Sequence, residues 1–192
     1  MKLVLEAARE IQEFCEDNDW RFCFIGGIAV QRWAVPRNTN DVDLTLLTGI
    51  GNEEVFITRL LDRFESRIKE DALRFALTRR VVLIQSGDVG IDISLGALEF
   101  EELAVKRSTY FSFTPETTLK TCSAEDLIVF KAFANRFKDW ADIESVLRLQ
   151  RDLDWSYVDS QLKPLVDLKE EPEITSQLEK LRKLSENEPN LH

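Results

Sequence analysis

The sequence contains a single histidine, His192, and only three cysteines, Cys15, Cys23 and Cys122, among its 192 residues. The cysteines are widely spaced, and none of them forms the Cys-x-x-Cys spacing of a zinc or redox site. These scarcities argue against a zinc centre, a disulfide framework and any mechanism that needs a catalytic histidine. We expect reduced, mostly buried thiols in a cytoplasmic protein.

Long apolar runs are also missing from the sequence. No stretch reaches the roughly 20 residues that a membrane-spanning helix requires, and the first residues, MKLVLEAAREIQEF, are a charged amphipathic pattern rather than a secretory signal. We therefore expect no membrane partner. Acidic residues outnumber basic ones by 35 to 25, giving a net charge of −10. This balance disfavours non-specific adhesion to phosphate backbones, although a local basic patch would still bind nucleic acid.

The apolar residues, 44% of the chain, suffice for a packed core. Their periodicity predicts an α+β protein. The predicted helices are 2–17, 28–34, 53–68, 124–136, 138–150, 154–168 and 173–186. The predicted strands are 21–25, 41–47, 81–85, 89–95, 109–113 and 118–122. We expect an α/β core over residues 1–121, a helical region packed on it over 122–186, and a disordered tail, 187–192.

Aspartates occur in two of the predicted strands, although aspartate is a poor strand former. In the strand 41–47, DVDLTLL, the side chains of Asp41 and Asp43 point away from the apolar row. In the strand 89–95, VGIDISL, Asp92 points away from the apolar row in the same manner. If the two strands are neighbours, three carboxylates converge on one sheet face.

Three converging carboxylates would raise each other's pKa and destabilise the fold unless a cation neutralised them. Oxygen ligands of this kind suit a hard ion such as Mg²⁺, which also takes substrate phosphates as ligands. Alternate strand residues are roughly 6–7 Å apart, a span that brackets two ions. We interpret Asp41, Asp43 and Asp92 as ligands of two Mg²⁺ ions, with Mn²⁺ as a substitute. The alternative is a turn or a solvated face.

Two glycines, Gly26 and Gly27, end the strand 21–25 and precede a short helix. Backbone N–H groups at such a position bind anions, although a glycine pair is more often a tight turn. A phosphate site beside a divalent metal would explain the pair.

Together these residues resemble the nucleotidyltransferases of the polymerase-β-like superfamily. The resemblance rests on Gly26-Gly27, the segment RNTNDVDL and the later strand IDISLG. The continuation AEDLIVFKAFANRFKDWADIESVL is similar to one branch, the AbiEii/MenT-like nucleotidyltransferases of toxin–antitoxin and phage-defence systems. The match spans about residues 22 to 150.

The resemblance implies a nucleotidyltransferase-like mixed sheet flanked by helices, followed by a C-terminal helical bundle. It also implies that Gly26 and Gly27 cradle the triphosphate of a nucleoside triphosphate (NTP). Asp41 and Asp43 would hold both metal ions. Asp92 would complete the ligand shell of the catalytic ion and help deprotonate the attacking hydroxyl. Gly27 departs from the family's frequent serine and offers only its amide.

Five charged residues add further hypotheses to this set. Lys131 lies in an otherwise apolar helix and is interpreted as a catalytic, phosphate-directed cation, the alternative being a side chain that reaches to solvent. Arg136 would add charge for the nucleotide. Arg37 would either contact the nucleotide or cap its loop. Asp139 and Asp142 are interpreted as structural partners of Lys131 or Arg136.

The leading hypothesis is a Mg²⁺-dependent nucleotidyltransferase that acts on transfer RNA, another RNA or a protein, with an antitoxin protein as a partner. An alternative is nucleotidyl transfer to a small molecule, as in antibiotic-modifying enzymes. A catalytically silent nucleotide-binding module is the third reading.

Overall fold

The chain is seen in a computed structural model that describes residues 1–187. The predicted tail, 187–192, lies outside the described residues from residue 188 onward, and so does the single histidine. The helices of the described part are α1 (Lys2–Asp17), α2 (Gly26–Trp33), α3 (Glu53–Arg63), α4 (Ala72–Arg79), α5 (Glu99–Arg107), α6 (Ala124–Ala134), α7 (Phe137–Leu149), α8 (Trp155–Lys169) and α9 (Glu173–Asn187). The strands are β1 (Phe22–Phe24), β2 (Asp41–Leu47), β3 (Glu65–Ser66), β4 (Val81–Ser86), β5 (Val89–Gly96), β6 (Thr109–Thr114) and β7 (Thr117–Thr121).

The seven strands of residues 1–187 form one mixed sheet in the order β3-β4-β5-β2-β1-β7-β6. Strand β2 runs parallel to β5 and β1 runs parallel to β7, whereas the other neighbouring pairs are antiparallel. The predicted α+β class with a mixed sheet is therefore confirmed. The parallel pair β2–β5 lies in the interior of the sheet.

The β2–β5 pair forms because each strand offers an apolar row to the core. Leu44 and Ile93 are register partners, and both are fully buried. Burying such a side chain stabilises the fold by about 1.5–3 kcal/mol. Helix α1 covers part of this core with its apolar stripe, which includes Ile11. The opposite face of β2 and β5 is thereby left to polar residues.

Helix α1 is also attached to strand β7 by one glutamine. The Gln12 side chain donates to the carbonyl of Thr118 at 3.0 Å and accepts from the amide of Lys120 at 2.9 Å. These bonds satisfy the backbone of β7 and fix the position of the helix along the strand.

The described chain divides into two compact units. The first unit comprises residues Met1–Ala29 and Arg37–Ser123 and contains the sheet. The second unit comprises Val30–Pro36 and the chain from Ala124 onward, which includes helices α6 to α9. Within the second unit the Tyr157 hydroxyl donates to the buried Asp126 carboxylate at 2.6 Å, which joins α8 to α6.

The sequence interpretation differs from the structure around α3. The predicted helix 53–68 is wrong beyond Arg63, because Phe64 is extended and buried. The next two residues then pair with β4 as strand β3. Helices α4 and α5 were not predicted. Within residues 1–187, every helix is too short or too polar to cross a membrane.

Candidate active site

The parallel register of β2 and β5 places two of the predicted acids side by side. Asp43 is the register partner of Asp92, and Asp41 is the partner of Gly90. Register partners on neighbouring strands project to the same face, with their backbones about 4.8 Å apart. Asp41, Asp43 and Asp92 are all half-buried. The predicted sharing of one sheet face by the three acids is therefore observed.

The glycine pair lies directly against Asp43. Gly26 begins α2 with a φ of +55°, a left-handed conformation that favours glycine. A Cβ atom there would overlap with the Asp43 carboxylate and would lie 2.6 Å from the Asp43 Cβ. The Gly27 amide donates to Asp43 Oδ2 at 3.4 Å. Glycine at position 26 is thus required by the close approach of the acid.

Asp41 is held by a residue that the sequence analysis missed. The Thr39 hydroxyl donates to Asp41 Oδ1 at 3.1 Å, and Thr39 is buried. A Cβ atom on Gly27 would overlap with this hydroxyl. Thr39 therefore fills the space between the glycine pair and Asp41. A threonine two residues before an acid is a common local turn, a signal too weak to identify its role.

Asp92 is held by a second residue that the sequence analysis missed. Arg67 directly follows strand β3, and its guanidinium forms an ion pair with Asp92 Oδ1. No local sequence pattern predicts this pair, because it depends on β3 joining the edge of the sheet. Arg67 is thus a cation within the acidic cluster.

The acidic face is closed at one end. The hydroxyl of Thr45 donates to Glu101 Oε1 at 3.1 Å, and the other oxygen of Glu101 accepts from the amides of Ala97 and Leu98. Thr45 is fully buried under this contact. Helix α5, which carries Glu101, therefore covers the far end of β2, whereas Asp41 and Asp43 remain half-buried.

The oxygen donors fit a hard divalent ion by their chemistry, since they are three half-buried carboxylates on one face beside a glycine cradle. As placed, however, no three acidic, cysteine or histidine side chains in residues 1–187 form a group that could hold a metal ion. Each acid is engaged by a local partner: Thr39 for Asp41, Gly27 for Asp43 and Arg67 for Asp92. The metal assignment stays a prediction.

Arg37, predicted to contact the nucleotide or cap its loop, is exposed. Its guanidinium donates to the Asn38 carbonyl at 3.1 Å. This contact is consistent with the capping role, and the nucleotide role stays a prediction.

The predicted residues Lys131 and Arg136 belong to the second unit and form a network of their own there. Lys131 is buried, and its Nζ lies 2.9 Å from Asp139 Oδ1 and 2.7 Å from Asp142 Oδ2. Arg136 Nε donates to Asp139 Oδ2 at 2.6 Å. Lys131 therefore does not reach to solvent, and Asp139 and Asp142 are its ion-pair partners.

The Asp139 carboxylate has a shifted pKa. Burial acts to raise this pKa, but the hydrogen bonds from Arg136 and Lys131 outweigh burial and hold it below its ordinary value of 3.8. The charged form of Asp139 is therefore the one that the folded state stabilises.

Comparisons with known proteins agree with this fold. The family described as "Nucleotidyl transferase AbiEii toxin, Type IV TA system" matches residues 15–188. A nucleotidyltransferase-like protein from Paracoccidioides brasiliensis, described as antigenic, aligns with a TM-score of 0.51 at 16% identity, covering 93% of this chain and 91% of that one. A comparison with curated proteins finds no match.

Two further solved structures align at lower TM-scores. The antibiotic-resistance factor ANT(2″)-Ia gives a TM-score of 0.46 at 16% identity, over 94% of this chain and 89% of that one. The lincosamide antibiotic adenylyltransferase LnuA, bound to lincomycin, gives 0.48 at 11% identity, over 73% and 94%.

The substitution Gly26→Ala should destabilise the protein more than Gly87→Ala. Both glycines have nearly the same φ, +55° and +56°, so both variants incur a strain of about 1 kcal/mol. Only position 26 adds a collision with the Asp43 Cβ, which is fixed to strand β2. We expect an additional loss of about 1–2 kcal/mol in urea unfolding. Equal losses for the two variants, or no recovery on adding Asp43→Gly, would contradict the packing described.

The substitution Asp139→Asn should destabilise the protein in a pH-dependent manner. A lowered pKa contributes stability that is complete above the ordinary value of 3.8 and is lost as the pH falls through the folded-state pKa. We expect a loss of about 2–3 kcal/mol at pH 7 that shrinks below pH 3.8. Urea unfolding from pH 7 to pH 3 measures it, with the exposed Asp152→Asn as the control. A loss that is independent of pH would contradict the account.

Proposed function

Since the chain belongs to the AbiEii nucleotidyltransferase toxin family, we propose that it transfers a nucleoside monophosphate from an NTP to an RNA hydroxyl, at a site built on Asp41, Asp43 and Asp92. The observation that carries this proposal is the register pairing of Asp43 with Asp92 beside the Gly26-Gly27 turn. In the proposed site, the acids bind divalent ions and the glycine turn receives the triphosphate.

The glycine turn suits a phosphate for two reasons. The Gly27 amide points at the Asp43 carboxylate. A phosphate bound to a metal ion on that carboxylate would therefore lie close to a backbone N–H donor. Position 26 has no side chain that could block this approach. The same turn also begins helix α2, whose dipole favours negative charge at this end.

The reaction needs no histidine. When bound, the divalent ions would neutralise the charge on the α-phosphate and make the acceptor hydroxyl more acidic. The hydroxyl oxygen forms a bond to the α-phosphorus while the bond to the pyrophosphate oxygen breaks. Asp92 receives the hydroxyl proton, because it is a half-buried carboxylate on the same face as Asp43.

Lys131 and Arg136 are proposed to supply positive charge for the triphosphate. Lys131 is fixed by Asp139 and Asp142, so its ammonium has a defined position. Arg136 is more exposed than Lys131, with 59% of its side chain accessible. Arg37 is proposed as a further nucleotide contact from its exposed loop.

The proposed acceptor is an RNA end, transfer RNA included, in keeping with a toxin of a Type IV toxin–antitoxin family. The proposed partner is an antitoxin protein, and the proposed ions are two Mg²⁺. Acceptors of other classes, a protein or a small molecule, are outcomes of the experiment below.

The test is transfer of label from each α-³²P-labelled NTP to total RNA in the presence of Mg²⁺. We expect labelled RNA with the native protein and a loss of roughly 100-fold or more with Asp43→Ala, because that carboxylate lies at the centre of the site. The matched control is Asp88→Ala, an exposed acid in the turn between β4 and β5.

Three outcomes would change the proposal. Label on the protein itself would identify a protein acceptor. If label appears in a small molecule only when cell extract replaces the RNA, the acceptor is a small molecule. If Asp43→Ala transferred label as well as the native protein, the proposed site would be wrong.

A further inference from the structure

Arg67 is anchored to the sheet independently of the acid that it contacts. Its amide donates to the Leu83 carbonyl at 2.9 Å, and its Nε donates to the Ile84 carbonyl at 3.0 Å. These bonds tie both the backbone and the side chain of Arg67 to strand β4. The guanidinium therefore reaches the acidic face from a fixed base.

The Arg67 guanidinium lies against strand β5 at Gly90, two residues before Asp92 on the same strand. A Cβ atom on Gly90 would lie 3.0 Å from Arg67 Nη1 and 3.2 Å from its Cζ. Gly90 is also the register partner of Asp41. The absence of a side chain at position 90 thus makes room for a cation over β5, beside Asp92 and at the register position of Asp41.

Arg67 changes the charge of the cluster. The three acids carry a charge of about −3, and Arg67 reduces it to about −2. An arginine side chain has five N–H donors, of which Nε binds Ile84 and Nη2 binds Asp92. The Arg67 side chain is 33% exposed and that of Asp92 is 36% exposed, so solvent and ligands reach the pair.

We propose that Arg67 is the counter-ion of Asp92 in the nucleotide-free site and moves from Asp92 to a triphosphate oxygen when the nucleotide binds. The inference rests on the proposed function and deepens it, since it names what controls access to Asp92. Phosphate offers a guanidinium more charge and the same bidentate geometry as a carboxylate, so the exchange is favourable. Release from Arg67 then makes Asp92 available as a ligand and as a proton acceptor.

The exchange predicts effects of opposite sign on metal and nucleotide binding. Without Arg67, Asp92 is available at all times, so Arg67→Gln should bind Mn²⁺ roughly fivefold more tightly in the absence of nucleotide. The same variant should bind the nucleotide roughly fivefold more weakly, because the phosphate loses a cation. A purely structural role would not move the two affinities in opposite directions.

The experiment measures Mn²⁺ binding to the full chain from the electron paramagnetic resonance signal of free Mn²⁺. It measures nucleotide binding with the α,β-methylene analogues of the four ribonucleoside triphosphates, which cannot release pyrophosphate. The variants are Arg67→Gln, Asp92→Asn and the double variant, with Arg74→Gln on helix α4 as the matched control. In the Asp92→Asn background, Arg67→Gln should change the Mn²⁺ affinity by less than about twofold.

The outcomes separate this inference from the proposed function. If the native protein binds Mn²⁺ and nucleotide but Arg67→Gln leaves both affinities unchanged, or shifts them in the same direction, the inference is overturned and the site stands. If the native protein binds neither, both are overturned. If Arg67→Gln fails to fold, Arg67→Lys is the second variant. It keeps the positive charge but loses the planar, bidentate donor geometry of arginine, so we expect a smaller increase in Mn²⁺ affinity and a smaller decrease in nucleotide affinity.

Discussion

Two aspartates of neighbouring parallel strands, Asp43 and Asp92, are forced onto the same face by the register of β2 and β5. The other face of this strand pair is the hydrophobic core, so a slip of one residue would bury the acids and expose Leu44 and Ile93. The register is therefore maintained by apolar burial, and the approach of like charges is its consequence. The cost of that approach requires positive charge at the site, which Arg67 supplies in part.

The residues around the acids are also fitted to the crowding that the β2–β5 register creates. A glycine stands at each of two positions where a side chain would collide: Gly26, the first residue of α2, against Asp43, and Gly90 of β5 against Arg67. Buried Thr39 separates the acid at the start of β2 from the glycine turn. In the second unit, by contrast, the buried Lys131 is paired with two buried carboxylates of the same unit. The first unit retains an excess of negative charge, as a cation-binding site requires.

Alternation along single strands was enough to predict that Asp41, Asp43 and Asp92 point away from the apolar rows, because strand periodicity is a local property. That they share a face depended on the two strands being neighbours, a condition that the pairing of β2 with β5 meets. The helices from Ala124 onward were predicted from periodicity in the same way, whereas the mixed sheet was implied by the family resemblance. Strand β3 was not predicted, since a two-residue edge strand exists only through its pairing with β4. Arg67 and Glu101 were missed because each acts through contacts that the order of the strands creates, whereas Thr39 was missed because its local turn is too common to identify a role. The ion pairing of Lys131 with Asp139 and Asp142 was anticipated, because the three residues lie on adjacent helical segments.

The central claim is that the face shared by Asp41, Asp43 and Asp92 is where metal and triphosphate meet. The most direct measurement is the anomalous diffraction of Mn²⁺ in crystals grown with an α,β-methylene nucleoside triphosphate. The account predicts anomalous peaks within coordination distance of these carboxylates, with the triphosphate against the Gly26-Gly27 turn. A nucleotide bound elsewhere, or Mn²⁺ peaks away from all three carboxylates, would contradict it.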